Sequence, residues 1–327
     1  MPSNAAAHES PRHRPVMLAE VLAALDPRDD GIYVDGTFGA GGYAKGILEQ
    51  AETKVYGIDR DPDAIAAGAE LAAQFPGRLV LIEGPFSDMR ELLGRDGVEK
   101  VDGIVLDIGV SSMQLDDPER GFSFMADGPL DMRMSRSGPS AAEVVNDYQQ
   151  AELARIIARY GEERRARAIS RAIVAAREQA PITRTSELVA LIEKVMGRPR
   201  PDMIHPATRT FQALRIYVND ELGELERALE ASEAMLKPGG RLVVVAFHSL
   251  EDRIVKRFLT ERTGRTPRPS RHAPMPGPAP DPTFEPLTKG ALRPTQDECD
   301  VNPRARSARL RAAMRTEAPA RTGGASC

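Results

Sequence analysis

Two carboxylates and a glycine run carry the first chemical signal in this 327-residue chain. The apolar stretch Ile32-Tyr33-Val34 leads into Asp35, and Gly36-Thr37-Phe38-Gly39-Ala40-Gly41-Gly42 follows. Glycines there let a ligand approach the main chain closely, and a helix-like stretch from Ala44 to Leu48 offers unpaired N–H groups at its start. Gly39-x-Gly41-x-x-Ala44 fits the G-x-G-x-x-G/A form of a nucleotide-binding turn. Asp59 ends the next apolar run, where a carboxylate accepts hydrogen bonds from ribose hydroxyls. Phe86 follows the third run and would line a purine pocket; Asp107 ends the fourth. Each residue also has a plainer reading: Asp59 as a helix cap before Pro62, Phe86 as core packing, Asp107 as a turn residue. Three acidic residues ending strands one, two and four nevertheless exceed what packing requires, because buried carboxylates are costly.

Two cofactor chemistries compete for such a cradle. A nicotinamide enzyme needs a proton relay, yet there is no Tyr-x-x-x-Lys pair and no histidine in the loop after strand four. S-adenosylmethionine is already activated as a sulfonium and asks for little acid–base machinery. The Leu236-Lys237-Pro238-Gly239-Gly240 turn before a fifth strand also favours it.

These residues need a scaffold. Apolar runs at 32–34, 54–58, 79–82 and 101–106 alternate with helical stretches such as 62–75, which predicts a parallel sheet covered on both faces. A first helix is expected over Pro15 to Leu25. After Ser112 the alternation stops. A loop-like stretch runs to about Ser140, and 141–197 reads as helical, with Leu188, Leu191, Ile192 and Val195 on one face. Residues 115–210 are therefore expected to form a helical insertion. The sheet pattern then resumes. One amphipathic helix is expected to carry Val218, Leu222, Leu225 and Leu229, with a buried strand at 241–247 and a last strand near 308–312. Eight prolines between 267 and 286 mark an irregular excursion. Residues 1–12 read as a disordered arm and 316–327 as a flexible tail.

Composition is that of an ordinary globular chain, and no run approaches the length of a membrane span. The polar N-terminus lacks the apolar centre of a signal peptide, so a cytoplasmic setting is expected. Cys299 and Cys327 form no metal-type spacing, so no metal is expected, and neither falls where a covalent nucleophile is needed. Net charge is −4, but residues 155–215 carry 13 Lys/Arg against 6 Asp/Glu, and 253–327 carry 15 against 7. Such segments are either solvated faces or phosphate-contacting surfaces.

Long strings extend the signal beyond the turn: His13-Arg14-Pro15-Val16-Met17-Leu18, Tyr33 through Gly42, Gly57-Ile58-Asp59-Arg60-Asp61-Pro62, and Gly84-Pro85-Phe86-Ser87. Leu106-Asp107-Ile108-Gly109-Val110-Ser111-Ser112 through Asp116, Arg120 to Phe124, Asp127 to Met134, Tyr160 to Arg164, His205 to Arg215, Phe247 to Arg253 and Asn302 to Ser307 continue them. Over about residues 13–315 the chain resembles the bacterial small-subunit (16S) rRNA cytosine-N4 methyltransferases of the MraW type. The resemblance implies a Rossmann-like class I S-adenosylmethionine-dependent methyltransferase sheet of α/β class. It spans 13–114 and 211–315 and is interrupted by the helical insertion at 115–210. It implies methyl transfer to N4 of one cytidine in the decoding (P-site) region of 16S rRNA within the 30S subunit, and it leaves a homodimer open. A methyltransferase acting on another RNA position or substrate is the alternative. The cofactor contacts it carries over are Gly41, Gly42, Tyr43, Asp59, Phe86, Asp107 and Gln114, and the glycine turn adds Gly39. Tyr43 departs from the family pattern, which usually has histidine after the double glycine.

An exocyclic amine is a poor nucleophile, because its lone pair is delocalised into the ring. Acceptors on its N–H groups favour pyramidalisation. The expected positioning groups are Asp107, Ser111 and Ser112. His248 ends the fifth strand and reads equally as a base or phosphate contact and as a structural residue. RNA contacts are expected from Arg164, Arg167 and Arg171 on one helix face, from Arg215, and from a cluster of Arg304, Arg306, Arg309 and Arg311.

Overall fold

The computed structural model describes residues 15–135, 137–199, 203–265 and 280–321. Expectations for 1–12, for most of the proline-rich excursion and for 322–327 lie outside the described residues. The chain divides into two compact units, 1–109 with 224–327, and 110–223. The helical unit thus begins earlier and ends later than the expected 115–210. Among the described residues, no helix is long and apolar enough to cross a membrane.

The first unit is built on a seven-stranded sheet. Its strands are β1 (Ile32–Asp35), β2 (Lys54–Asp59), β3 (Leu79–Glu83), β4 (Val101–Asp107), β5 (Leu236–Ala246), β6 (Phe284–Pro286) and β7 (Arg309–Arg315). The order is β3-β2-β1-β4-β5-β7-β6. Strands β1 to β5 pair in parallel, and β7 runs antiparallel to both β5 and β6. Side chains alternate across a strand, and here both faces are buried. Val34, Tyr56, Ile58, Ile104, Leu106, Leu242 and Val244 enter one core with Met89 and Leu93. Their neighbours Tyr33, Val55, Val105, Val243 and Val245 enter the other. This second core is closed by Val21 and Leu25 of α1 (Leu18–Leu25) and by Ala44 and Ile47 of α2 (Gly42–Gln50).

Helix α3 (Pro62–Gln74) starts where sequence chemistry places it: Pro62 fills the first helical position and the Asp61 carboxylate accepts the Asp63 N–H at 3.1 Å. That role belongs to Asp61, so Asp59 is not the cap. Helix α4 (Met89–Gly94) follows β3. The order of connections reverses between β1 and β4, so the carboxyl ends of these two strands flank the switch point where ligands bind in such sheets.

Three local expectations are corrected. The Lys237–Gly240 turn does not precede β5 but lies inside it as a bulge: Val101 pairs with Leu236 and Gly103 already with Arg241. The helix expected to carry Val218 to Leu229 is two helices, α10 (Thr208–Asn219) and α11 (Glu221–Met235), broken at Asp220 in the left-handed region. Residues 316–321, expected to belong to the tail, are tied down: the Thr316 N–H donates to Thr283 O at 3.0 Å and the Arg321 N–H to Glu233 Oε1 at 3.3 Å.

The second unit is helical. It comprises α5 (Ser112–Asp116), α6 (Ala141–Asp147), α7 (Gln150–Gly161), α8 (Ala166–Arg177), α9 (Thr185–Met196) and α10. Its core joins Leu153, Ile157, Ile169, Ile173, Leu188, Ile192 and Leu214. The irregular stretch 117–135 is held by side chains as well as by scattered main-chain bonds. Asn219 Oδ1 accepts the Met134 N–H at 2.9 Å, and its amide donates to Met132 O at 2.8 Å.

Candidate active site

The glycine turn between β1 and α2 is locked by the acids that end its flanking strands. Asp35 is fully buried; Oδ1 accepts the Thr37 N–H at 3.3 Å and Oδ2 the Ala44 N–H at 3.1 Å. One carboxylate thus pins the start of the turn and the first turn of the helix after it. From β2, Asp59 Oδ2 accepts the Gly39 N–H at 2.8 Å, and Oδ1 accepts that of Asp61 at 2.9 Å. From β4, the Asp107 N–H donates to Thr37 Oγ1 at 2.6 Å. Three strand ends therefore converge on one loop. Gly41 takes φ +76°, and a β-carbon there would lie 2.6 Å from Leu71 Cδ2 and 2.7 Å from Phe38 Cζ. The position demands glycine both for its backbone and for its space.

Charge follows burial. Burial pushes the Asp35 carboxyl up to about 7, against the pull of the two N–H groups it accepts and with a further push from Asp59. Burial likewise raises Asp59, opposed by the Asp61 and Gly39 N–H groups. Asp107 is raised well above the carboxylate range by burial, then by the Asp35 and Glu251 carboxylates. Asp107 is only partly buried as a residue, yet its Oδ1 is sealed from solvent and has no hydrogen-bond partner. A buried acceptor left unsatisfied costs about 1–3 kcal/mol.

Raised acids make a folded protein less stable as pH rises. Between pH 3.8 and about 7 folded Asp35 holds a proton that the unfolded chain has lost, so its stabilising contribution is full at low pH and gone above 7. Asp35→Asn is expected to remove this term. The stability of the wild-type protein relative to the variant should fall by up to roughly 4 kcal/mol between pH 4 and 7.5. Urea unfolding of both proteins across that range measures it, and parallel pH profiles would contradict it.

Other expected site residues take more specific places. Phe86 opens a short 3-10 turn after β3 and is half-buried against the core. Tyr43 is buried, and its hydroxyl donates to Val16 O, so its ring points into the core beside the N-terminal segment. Ser111 and Gln114 cap α5 reciprocally: Ser111 Oγ accepts the Gln114 N–H at 3.2 Å, and Gln114 Oε1 accepts the Ser111 N–H at 3.1 Å. Ser112 is the first residue of α5. His248 caps α12 (Ser249–Arg262), with Nε2 3.0 Å from Oε1 of the fully buried Glu251. Sequence reasoning passed over Thr37, whose hydroxyl links the turn to β4; Thr before Phe-Gly in the turn was the available signal.

The basic residues divide into committed and uncommitted. Arg215 makes a two-pronged pair with Glu221, both contacts 2.8 Å, and is largely buried, so its guanidinium serves the fold rather than a phosphate. Arg309 and Arg311 both engage Asp252, at 3.2 and 2.7 Å. Arg304, half-buried, and Arg306, exposed, lie on a short 3-10 turn. Arg164 precedes α8 instead of lying on it, because the helix begins at Ala166. Arg164, Arg165, Arg167 and Arg171 are exposed and have no ion pair among the described residues. Ile169 and Ile173 fill the core on the opposite side of α8.

The cradle fits a nucleoside linked to an amino acid. Gly42 and Tyr43 occupy the first helical positions of α2, where N–H groups have no intrahelical acceptor. Asp59, partly buried, ends β2, and Phe86 offers a ring beyond β3. Asp107 supplies an orphaned acceptor at the end of β4.

A parallel sheet with this strand order, an antiparallel seventh strand and an acid-locked glycine turn at the switch point define a Rossmann-like class I methyltransferase that uses S-adenosylmethionine. The chain belongs to the MraW methylase family, whose model matches residues 10–316. It is 62% identical over 308 residues to ribosomal RNA small subunit methyltransferase H of Parvibaculum lavamentivorans, covering 94% of this chain and 91% of that protein. To the protein of the same name from Paramagnetospirillum magneticum it is 60% identical, covering 94% and 97%. A solved rRNA methylase from Streptococcus thermophilus superposes with a TM-score of 0.40 at 10% identity, covering 92% of this chain and 94% of that one.

Proposed function

We propose that this methylase transfers a methyl group from S-adenosylmethionine to N4 of a specific cytidine in the decoding (P-site) region of 16S rRNA, acting on the 30S subunit. The match to the MraW family over nearly the whole chain carries this reading, together with relatives named as ribosomal RNA small subunit methyltransferases at about 60% identity. The sulfonium of the bound donor supplies an activated methyl group and a positive charge. Gly39, Gly41, Gly42 and the Tyr43 backbone would hold its amino-acid end, Asp59 its ribose and Phe86 its base.

Asp107 is the residue best suited to the amine. Its carboxylate, half-buried at the end of β4, would offer an oxygen to an N4–H, which turns the amine and exposes its lone pair. A positive charge brought beside Asp107 favours its carboxylate form, against the burial and the neighbouring acids that raise it. As the nitrogen gains charge, the same oxygen can hold the proton that leaves. Orientation supplies much of the remaining acceleration. Ser111 and Gln114 would act by keeping α5 in shape rather than by touching the base.

Arg164, Arg165, Arg167 and Arg171 would bind rRNA phosphates. The target base must be unstacked, or already exposed, to reach the donor. The direct test is transfer of label from methyl-labelled S-adenosylmethionine to undermethylated 30S subunits. Incorporation into 16S rRNA is expected. Tight subunit binding with no transfer would favour a non-catalytic assembly factor instead.

A further inference from the structure

The glycine turn has a back wall made by the N-terminal segment, and two residues hold that wall in place. Pro15 lies against Gly42 so closely that a β-carbon on Gly42 would collide with the proline ring. Val16 is nearly buried and Met17 fully buried. The Tyr43 hydroxyl, from the second residue of α2, donates to Val16 O. The Met17 N–H donates to Glu298 Oε1 at 2.6 Å, across 281 residues of sequence. Glu298 lies on α13 (Gln296–Val301).

Met17 is held in a conformation it would not choose. Its φ of 53° is left-handed, which costs a non-glycine residue about 1–2 kcal/mol. It precedes α1, whose start has no side-chain cap of its own. Such a conformation persists only where surroundings enforce it. The enforcing contacts are the charge-assisted bond from Glu298 and the phenol on Val16. Neither bond belongs to the sheet ladder. Both act on the segment whose Pro15 ring lies against Gly42, the first residue of α2. The Gly46 position, where an added β-carbon would lie 3.1 Å from Leu18 and 3.2 Å from Leu22 of α1, continues the same contact downward.

We propose that Tyr43 and Glu298 are positioning residues for S-adenosylmethionine: they clamp Pro15–Met17 behind Gly42 and so hold the glycine turn in its ligand-ready shape. The inference rests on reading that turn as the cofactor seat. It gives the unusual tyrosine a task, because a phenol hydroxyl reaches Val16 O while the backbone of the same residue remains at the turn.

Four full-chain variants test it: Glu298→Ala, Glu298→Gln, Tyr43→Phe and Asp59→Ala. Cofactor Kd is read by calorimetry, KM and kcat by methyl transfer. Glu298→Ala and Tyr43→Phe are each expected to raise Kd and KM about tenfold, the loss of one such bond, with kcat at saturating cofactor changed less than about twofold. Glu298→Gln should stay near wild type, since an amide oxygen still accepts the Met17 N–H. Should Tyr43→Phe fail to fold, the Ala/Gln pair at Glu298 decides alone. The inference is overturned if Glu298→Ala binds cofactor as wild type does while Asp59→Ala loses it. It is equally overturned if Gln and Ala behave alike at 298, or if kcat falls as far as affinity. If Asp59→Ala is itself without effect, the seat reading fails and not the clamp alone.

Discussion

Asp107→Asn is expected to lower kcat for methyl transfer by about 10²- to 10³-fold while cofactor affinity changes by less than about threefold. The variant should also be more stable than wild type at neutral pH, not less. Asp107 Oδ1 is buried without a partner, and burial with Asp35 and Glu251 raises its carboxyl well above the ordinary range. A group in that state weakens the fold once pH exceeds its ordinary pKa, and the neutral amide removes this penalty. Loss of activity with gain of stability marks a residue kept for function. Single-turnover transfer with paired melts at pH 7.5 tells the cases apart. A turn residue would give unchanged kcat; a residue of the cofactor seat would give a raised Kd.

The second large effect concerns the four uncommitted arginines of the helical unit. Changing Arg164, Arg165, Arg167 and Arg171 together to alanine is expected to reduce the slope of log affinity against log salt by roughly three, at ~0.7–0.9 per phosphate contact. Binding to small subunits at moderate salt should then fall by about 10²-fold or more. These residues are exposed, whereas the underside of α8 is core, so the fold should survive the change. Arg215→Ala makes the contrasting control. Its guanidinium is engaged by Glu221, so its loss should appear as instability with the salt slope unchanged. Filter binding across a salt series measures both. An unaltered slope in the quadruple variant would remove this surface from the RNA interface.

What could be read from the residues, and what could not, follows the range of the interactions. Strand ends, the glycine turn and the acids at Asp35, Asp59 and Asp107 were legible, because an apolar run followed by Asp and Gly is a local pattern. The helical interruption was legible from the change in period, but its edges were not: Val110 and Gly223 lie in segments without a composition break. The Thr37–Asp107 and Glu298–Met17 bonds join residues 70 and 281 apart, and only the closed sheet brings them together. Arg215 read as a free cation because its partner lies beyond a left-handed break at Asp220, which a continuous helix would not contain. Arg309 and Arg311 are two apart on β7, so they share a face, and that face meets Asp252. In each case the partner that engages the residue is set by the folded chain and not by its local sequence.

The central claim joins a donor cradle at the switch point to an amine held by Asp107 at the end of β4. It is tested most directly by letting the enzyme methylate undermethylated 30S subunits, digesting the 16S rRNA and identifying the labelled nucleoside and its position by mass spectrometry. N4-methylcytidine at one site in the decoding region is the expected product. Label on another nucleoside, or on cytidines elsewhere in the 16S rRNA, would contradict it.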